Sequence, residues 1–313
     1  MTENKTISII VPVYNSENTL KQLVSEVRTV MEPRQFNYEI ILVNDGSRDH
    51  SWQTVQGLVN ENKGLIRGIN LMRNYGQHNA LLCGIREAKN EICITMDDDL
   101  QHPASAIPLL VERLSEGYDV VYGAPTEEKH GFFRNIASIM TKIALKNAMN
   151  AESARNVSAF RAFYTHLRQA FSSFNSSNVA LDVLLSWSTT KFGVIKVAHR
   201  PRTHGTSNYT FKTLIQHASN MMTGYSTLPL RISSGIGFLF TLFGIAVFLY
   251  AFIRYLIYGG LVPGFTFLAS LIAIFSGAQL FALGIIGEYL ARMHYRLMDK
   301  PSYTIDTKSG FND

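Results

Sequence analysis

Runs of aliphatic and β-branched residues alternate along the front of the chain with stretches whose apolar side chains recur every three or four positions. The runs predict strands over Ile7–Val13, Tyr38–Asn44, Leu65–Asn70, Glu91–Met96 and Asp119–Tyr122. The helical period predicts helices between them, at about Asn18–Met31, Ser51–Asn62, Gln77–Glu87 and Pro103–Glu116. Strand and helix in turn imply an α/β domain with a mostly parallel sheet. Ligands of such sheets bind outside the carboxyl ends of the strands. That rule points to Pro12-Val13-Tyr14-Asn15, Asn44-Asp45-Gly46-Ser47, Arg73-Asn74-Tyr75-Gly76-Gln77 and Asp97-Asp98-Asp99.

Two later stretches differ in kind. Ile232–Ile253 and Phe265–Gly287 run for 22 and 23 residues without an Asp, Glu, Lys, Arg or His. As helices they are long enough to cross a hydrocarbon core about 30 Å thick, which predicts a transmembrane hairpin with spans of about 232–257 and 265–288. Arg231 precedes the first run, Arg292, Arg296 and Lys300 follow the second, and Arg254 flanks the connection. The positive-inside rule then puts the front domain and both termini in the cytoplasm, on an inner membrane. Phe132, Phe133, Ile136, Ile139, Met140 and Ile143 recur at helical spacing beside Arg134, Lys142 and Lys146. This stretch, 132–149, and a second, Phe211–Tyr225, suit the membrane interface, with an ordinary core-covering helix as the alternative for each. The expected organisation is a front domain over 1–210, an interfacial helix over 211–230, the hairpin within 231–290 and a cytosolic tail over 291–313.

Composition narrows the partners. Lys and Arg number 29 against 24 Asp and Glu, a formal charge of +5, and the basic residues gather around the apolar stretches, where anionic head groups or phosphates attract them. Nucleic acid is not expected, because no basic run is interleaved with aromatics. Cys83 and Cys93 both lie in apolar stretches, so a disulfide framework is not expected and a reducing compartment fits. Met1–Lys5 leads straight into a strand-like run, so no signal peptide is expected and insertion falls to the C-terminal pair.

Three consecutive aspartates repel one another unless a cation neutralises them. On extended backbone Asp97 and Asp99 point the same way and suit Mg²⁺ or Mn²⁺, hard cations that also take phosphate oxygens. Asp98 then faces inward or caps the helix near Pro103. Asn44-Asp45-Gly46-Ser47-Arg48-Asp49 also follows a strand, with Gly46 permitting a tight turn, Asp49 or Ser51 able to cap the next helix, and Asp45 offering an acceptor to a base ring N–H.

In order and spacing these motifs resemble the nucleotide-sugar glycosyltransferases of the GT-A fold. Asp97-Asp98-Asp99-Leu100-Gln101-His102-Pro103, Gly205-Thr206-Ser207-Asn208-Tyr209 and Gly284-Ile285-Ile286-Gly287-Glu288-Tyr289 sharpen the likeness. Over about residues 6 to 300 the chain resembles the bacterial polyprenyl-phosphate glycosyltransferases, relatives of dolichol-phosphate mannose synthase and of the undecaprenyl-phosphate glucosyl and aminoarabinosyl transferases. The resemblance implies nucleotide contacts at Pro12, Tyr14 and Asp45, with Asp98 grouped beside them and Arg73 and Gln77 lining the sugar-nucleotide cleft. It implies a metal on Asp97 and Asp99, Gln101 beside the transferring sugar, and Arg202, Ser207 and Tyr209 in a loop closing over donor and acceptor phosphates. Arg134, Arg155 and Arg161 join Arg202 as candidates for the acceptor phosphate.

The chain departs from that pattern at His102-Pro103-Ala104, where many relatives have Asp-Pro-Pro, and at Asn208, where many have Lys. Relatives also carry acids just before the Phe-Arg pair matching Phe160-Arg161, whereas this chain reads Arg155-Asn156-Val157-Ser158-Ala159. Asp182 is the candidate replacement base. The expected reaction is inverting transfer of a sugar from a UDP-, GDP- or dTDP-linked donor to a polyprenyl phosphate such as undecaprenyl phosphate. A non-catalytic membrane partner is the alternative that the missing acid favours. A processive polysaccharide synthase is disfavoured by the lack of a Gln-x-x-Arg-Trp motif and by having only two spans. Relatives associate through their membrane helices, so a homo-oligomer is expected, and Gly277, Ala278, Ala282 and Gly284 permit close helix approach.

Overall fold

A computed structural model describes residues 5–34, 36–126, 156–176, 179–198, 200, 227–258 and 264–311. The chain divides into two compact units, Met1–Ala218 with Asp299–Asp313, and Ser219–Met298. In the first unit β1 (Thr6–Val13), β2 (Asn37–Asn44), β3 (Ile66–Leu71), β4 (Ile92–Thr95) and β5 (Val120–Pro125) alternate with α1 (Leu20–Met31), α2 (Ser51–Glu61), α3 (Gln77–Glu87) and α4 (Ile107–Ser115). Each matches an expected element to within a few residues. The stretch 103–116 departs in detail, opening as a 3-10 turn over Ala104–Ala106 before α4 begins.

Beyond these lie β6 (Arg161–Tyr164), a 3-10 helix over Thr165–Phe171, α5 (Leu181–Ser188), β7 (Phe192–Val197) and β8 (Ile305–Ser309). Among the described residues the strands form an eight-stranded sheet in the order β7-β5-β6-β4-β1-β2-β3-β8. The β1–β2, β2–β3, β1–β4 and β5–β7 pairs are parallel. The pairs that β6 makes with β4 and β5, and β8 with β3, are antiparallel.

β1 is buried from Ile7 to Val13, the continuous apolar run of a strand covered on both faces. Ile7, Ile9, Val11 and Val13 join the core cluster that includes Leu20, Leu23, Val24, Val27 and Met31, the stripe of α1. Ile10 faces the other way, toward α3. There a Cβ on Gly84 would come within 2.4 Å of Ile10 Cγ2, so a residue without a side chain lets the helix seat on the sheet. The strand order reverses at β1, with β2 and β3 on one side and β4 on the other. That reversal is the switch point at which ligand crevices open in doubly wound sheets.

The segment after the second apolar helix was expected as a tail. Its residues from Asp299 belong to the first unit, where β8 pairs antiparallel with β3 from Gly68↔Ser309 to Leu71↔Ile305. Met72 N–H donates to Thr304 O at 3.0 Å, Lys308 pairs with Glu87 at 2.8 Å, and the Arg67 guanidinium lies 4.7 Å from the centre of the Phe311 ring.

The second unit holds α6 (Leu228–Tyr258) and α7 (Phe265–Leu297). Their apolar windows, Leu228–Ile257 and Ile274–His294, have mean hydropathies of 2.4 and 1.4 and are long and apolar enough to cross a membrane. The two helices pack through Phe275, whose ring meets Phe240 at 5.4 Å and Phe243 at 6.4 Å. The expected interfacial stretches 132–149 and 211–225 lie outside the described residues.

Candidate active site

The carboxyl ends of β1, β2 and β4 carry the loops 14–17, 44–49 and 96–102, and hydrogen bonds tie the three together. Asp98 turns toward β1: its Oδ2 accepts from Tyr14 N–H at 3.0 Å and from the Ser16 hydroxyl. Burial pushes the Asp98 carboxyl above its ordinary range against those two bonds, and neighbouring Asp99 adds to the rise. Asn15 stands at φ 54 with its N–H on Ser47 Oγ (3.0 Å) and its Oδ1 accepting from Arg48 N–H (2.8 Å), which joins the β1 loop to the β2 turn. Asn is among the few residues that adopt this left-handed backbone readily. Asp49, expected as a cap, accepts from Ser51 N–H and Oγ and from Glu17 N–H.

Asp97 and Asp99 share a different neighbourhood from Asp98. Asp97 Oδ1 accepts from Gln77 Nε2, at the start of α3, and Asp99 Oδ1 accepts from Gln101 N–H at 3.1 Å. Leu100, between Asp99 and Gln101, adopts φ 62, a left-handed conformation that costs a non-glycine residue about 1–2 kcal/mol, while its side chain stays buried. This reversal brings His102 back toward the two acids. Ligand atoms of Asp97, Asp99 and His102 all lie within 4.8 Å of one another. His102 is buried and stacked on Phe160, with ring centres 5.3 Å apart. Sequence reasoning treated His102 only as a departure from a motif. The signal that could have found it was an imidazole three positions beyond Asp99. Two carboxylates and an imidazole form a donor set that fits a divalent cation.

Asp45 is 2% exposed, and its two oxygens accept from Tyr75 N–H (2.7 Å) and Gly76 N–H (2.8 Å). Burial raises its pKa against these two bonds. Each oxygen keeps one lone pair for a base, but the carboxylate's evident task is to clamp the loop 73–76 onto the β2 turn. Gly46, at φ 64, makes the clamp possible: a Cβ there would lie 2.4 Å from Arg73 C and 2.5 Å from Asn74 N. Pro12 is buried in β1, Tyr14 is 40% exposed, and exposed Arg73 stacks over the Tyr75 ring at 4.8 Å. Gln101 O accepts from Arg200 N–H at 3.0 Å, and Arg200 Nη1 donates to both oxygens of Glu26.

The structure pairs two of the expected site residues with each other. Asp182, the candidate base, and Arg161, a candidate for the acceptor phosphate, are partners of each other: Arg161 donates to Asp182 Oδ1, which also accepts from Tyr122 Oη at 2.9 Å. At 8% and 2% exposure neither reaches a lipid-borne phosphate without breaking this buried pair. Burial, with the Asp182 charge beside it, pushes the Tyr122 phenol well above its ordinary range and keeps it a donor. The cluster lies beneath the acid loop, since Arg161 is the register partner of both Thr95 and Tyr122. Arg134, Arg155, Arg202, Ser207 and Tyr209 lie outside the described residues.

Comparison with known proteins adds family information. The family model described as "Glycosyl transferase family 2" matches residues 8–171. The undecaprenyl-phosphate 4-deoxy-4-formamido-L-arabinose transferase of Shewanella sediminis is 33% identical over 301 residues, 96% of this chain and 91% of that protein. Its counterpart in Proteus mirabilis is 32% identical over 308 residues, 97% and 94% of the two chains. Among solved structures, M. tuberculosis glucosyl-3-phosphoglycerate synthase superposes with a TM-score of 0.50 at 16% identity, over 70% of this chain and 78% of that one, a likeness of fold.

Proposed function

The chain belongs to glycosyl transferase family 2 and has the GT-A fold; from that premise we propose that it transfers a sugar from a nucleotide-linked donor to undecaprenyl phosphate at a membrane surface. Relatives matched over nearly their whole length carry that acceptor in their names. The observation that carries the reading is the convergence of Tyr14, Asp45 and the pair Asp97 and Asp99 at neighbouring strand ends, in a chain that also holds two helices long and apolar enough to cross a bilayer.

In this reading the donor nucleotide lies across the ends of β1 and β2, against Pro12, Tyr14 and the Asp45 clamp. Arg73 and Gln77 line the diphosphate and sugar, and Gln101 lies beside the transferring sugar. Asp97, Asp99 and His102 would hold Mn²⁺ or Mg²⁺, the imidazole favouring Mn²⁺, and the cation would supply charge neutralisation to the leaving diphosphate. A phosphate oxygen of the acceptor bonds to the anomeric carbon from the face opposite the leaving group. The bond to the diphosphate breaks with its electron pair leaving on the nucleoside diphosphate, and the anomeric configuration inverts. A phosphate monoester, with a second pKa of about 6, is already ionised near neutral pH and needs no protein base. Commitment of Asp182 to Arg161 agrees with that. Catalysis then rests on positioning and on neutralising charge. Arg202 follows two residues after the anchored Arg200 and suits the acceptor phosphate, because a guanidinium grips phosphate as a fork. The flanking arginines put the first unit and both termini on the cytoplasmic side.

Purified protein given radiolabelled UDP-, GDP- or dTDP-sugars, Mn²⁺ and undecaprenyl phosphate is expected to make a lipid-extractable product with one donor class. Its rate should rise through about pH 6 and then level as the acceptor ionises. Release of nucleoside diphosphate that is indifferent to the lipid, or no product with any donor, would remove this reading.

A further inference from the structure

The C-terminal strand reaches the proposed donor site through a directed chain of hydrogen bonds. Asp306 Oδ2, on β8, accepts from Asn70 Nδ2 at 2.9 Å. Asn70 Oδ1 accepts from Asn44 Nδ2 at 2.7 Å, Asn44 Oδ1 accepts from Ser47 Oγ at 2.6 Å, and Ser47 Oγ accepts from Asn15 N–H at 3.0 Å. These four steps run from β8 across the ends of β3 and β2 into the β2 turn and the β1 loop.

Their direction is set at one end. A carboxylate is an acceptor only, so Asn70 must turn its NH₂ toward Asp306 and its oxygen toward Asn44. Asn44 must then present its NH₂ to Asn70 and its oxygen to Ser47. The Ser47 proton is thereby spent on Asn44, and its oxygen lone pair is left for the Asn15 amide. With the acceptor at position 306 gone, Asn70 is free to reverse. Asn44, only 2% exposed and unable to turn to water, then faces Ser47 with a donor. Ser47 then has to turn its proton away from Asn44 and accept from both N–H groups with its two lone pairs, which weakens the tie between the β1 loop and the β2 turn.

We infer that Asp306 is a positioning residue for the donor nucleotide, acting through Asn70, Asn44 and Ser47 on the loops that carry Tyr14 and Asp45. This rests on the donor-site reading given above. It gives the returning C-terminal strand a task at the reaction centre besides closing the edge of the sheet.

The test uses full-length protein in detergent, with titration calorimetry of UDP, GDP and dTDP, each with Mn²⁺. The nucleotide that binds best to the wild type is then measured against variants. Asp306→Ala is expected to weaken it about fivefold, the factor one ordinary net hydrogen bond is worth. Asp306→Asn keeps an acceptor oxygen and should stay within about twofold of wild type, whereas Asp306→Lys, a donor only, should weaken binding at least as much as Ala. Lys308→Ala, on the same strand but outside the chain of bonds, controls for loosening of β8: it should lower the melting temperature and leave nucleotide affinity unchanged. Equal affinities for Asp306→Ala and Lys308→Ala, or no rescue by Asn, would overturn the inference while leaving the donor site standing. If no nucleotide binds the wild-type protein, the donor-site reading fails, and the inference falls with it.

Discussion

Asp97, Asp98 and Asp99 are consecutive, and the fold divides them. The turn at Asp98 and Asp99 that follows β4 sends Asp98 to the Tyr14 amide and the Ser16 hydroxyl, while Asp97 and Asp99 stay with His102. The motif therefore separates into a structural tie and a ligand group, the division expected from alternation on extended backbone, although a turn is what makes it. His102 joins the group through the left-handed turn at Leu100, which nothing in the residue types announces. Gly46 is the sharper case of local necessity. Gly46→Ala should destabilise the protein by about 2 kcal/mol or more, since left-handed strain alone accounts for about 1–2 kcal/mol and the added Cβ strikes the 73–74 backbone; chemical denaturation measures it. The Arg161–Asp182 pair makes a contrasting prediction. Arg161→Met alone should cost about 3–5 kcal/mol by leaving a buried carboxylate unpaired, and the double variant Arg161→Met with Asp182→Leu should recover most of it. Additive losses in that cycle would show the two side chains act separately.

At the level of elements, apolar runs such as Ile7–Val13 and Tyr38–Asn44 were legible because both faces of these strands are buried, and Gln77–Glu87 because its stripe meets the sheet. What escaped has physical causes. β6 is four residues long and antiparallel, and its significance comes from pairing with β4 and β5, which no local pattern encodes. β8, with the sequence Ile-Asp-Thr-Lys-Ser, has the polar composition of an edge strand and is held largely by backbone pairing and by Asn70, Glu87 and Arg67 from across the fold. Asp182 read as a candidate base because nothing local shows its partner, which lies 21 positions away on another element. Removing residues 302–313 should uncover the long β3 edge. The shortened protein is expected to melt at a lower temperature and to aggregate faster in light scattering; unchanged melting would mean that β8 contributes nothing to the sheet.

On the scale of the whole molecule, the chain joins a nucleotide-sugar type of α/β unit to a hairpin of two long apolar helices, then returns to the first unit for its last strand. The motifs at the strand ends were legible from sequence because the α/β alternation fixes where ligands go before any side chain is placed. Residue roles within the site were less so, since Asp45, Asp98 and Asp182 owe theirs to partners that folding brings together. In the proposed function, joining the units in one chain gives a water-soluble donor and a lipid-borne acceptor a common address. In the proposed reaction Asp97 and Asp99 act jointly on the donor diphosphate through a divalent cation. The most direct measurement is the initial rate of label transfer from the accepted nucleotide sugar to undecaprenyl phosphate, for wild type with Mn²⁺, wild type with excess chelator, and Asp99→Ala with Mn²⁺. Transfer is expected in the first and a loss of about a hundredfold or more in the other two, as removal of a charge-stabilising group entails; equal rates in all three would contradict the account.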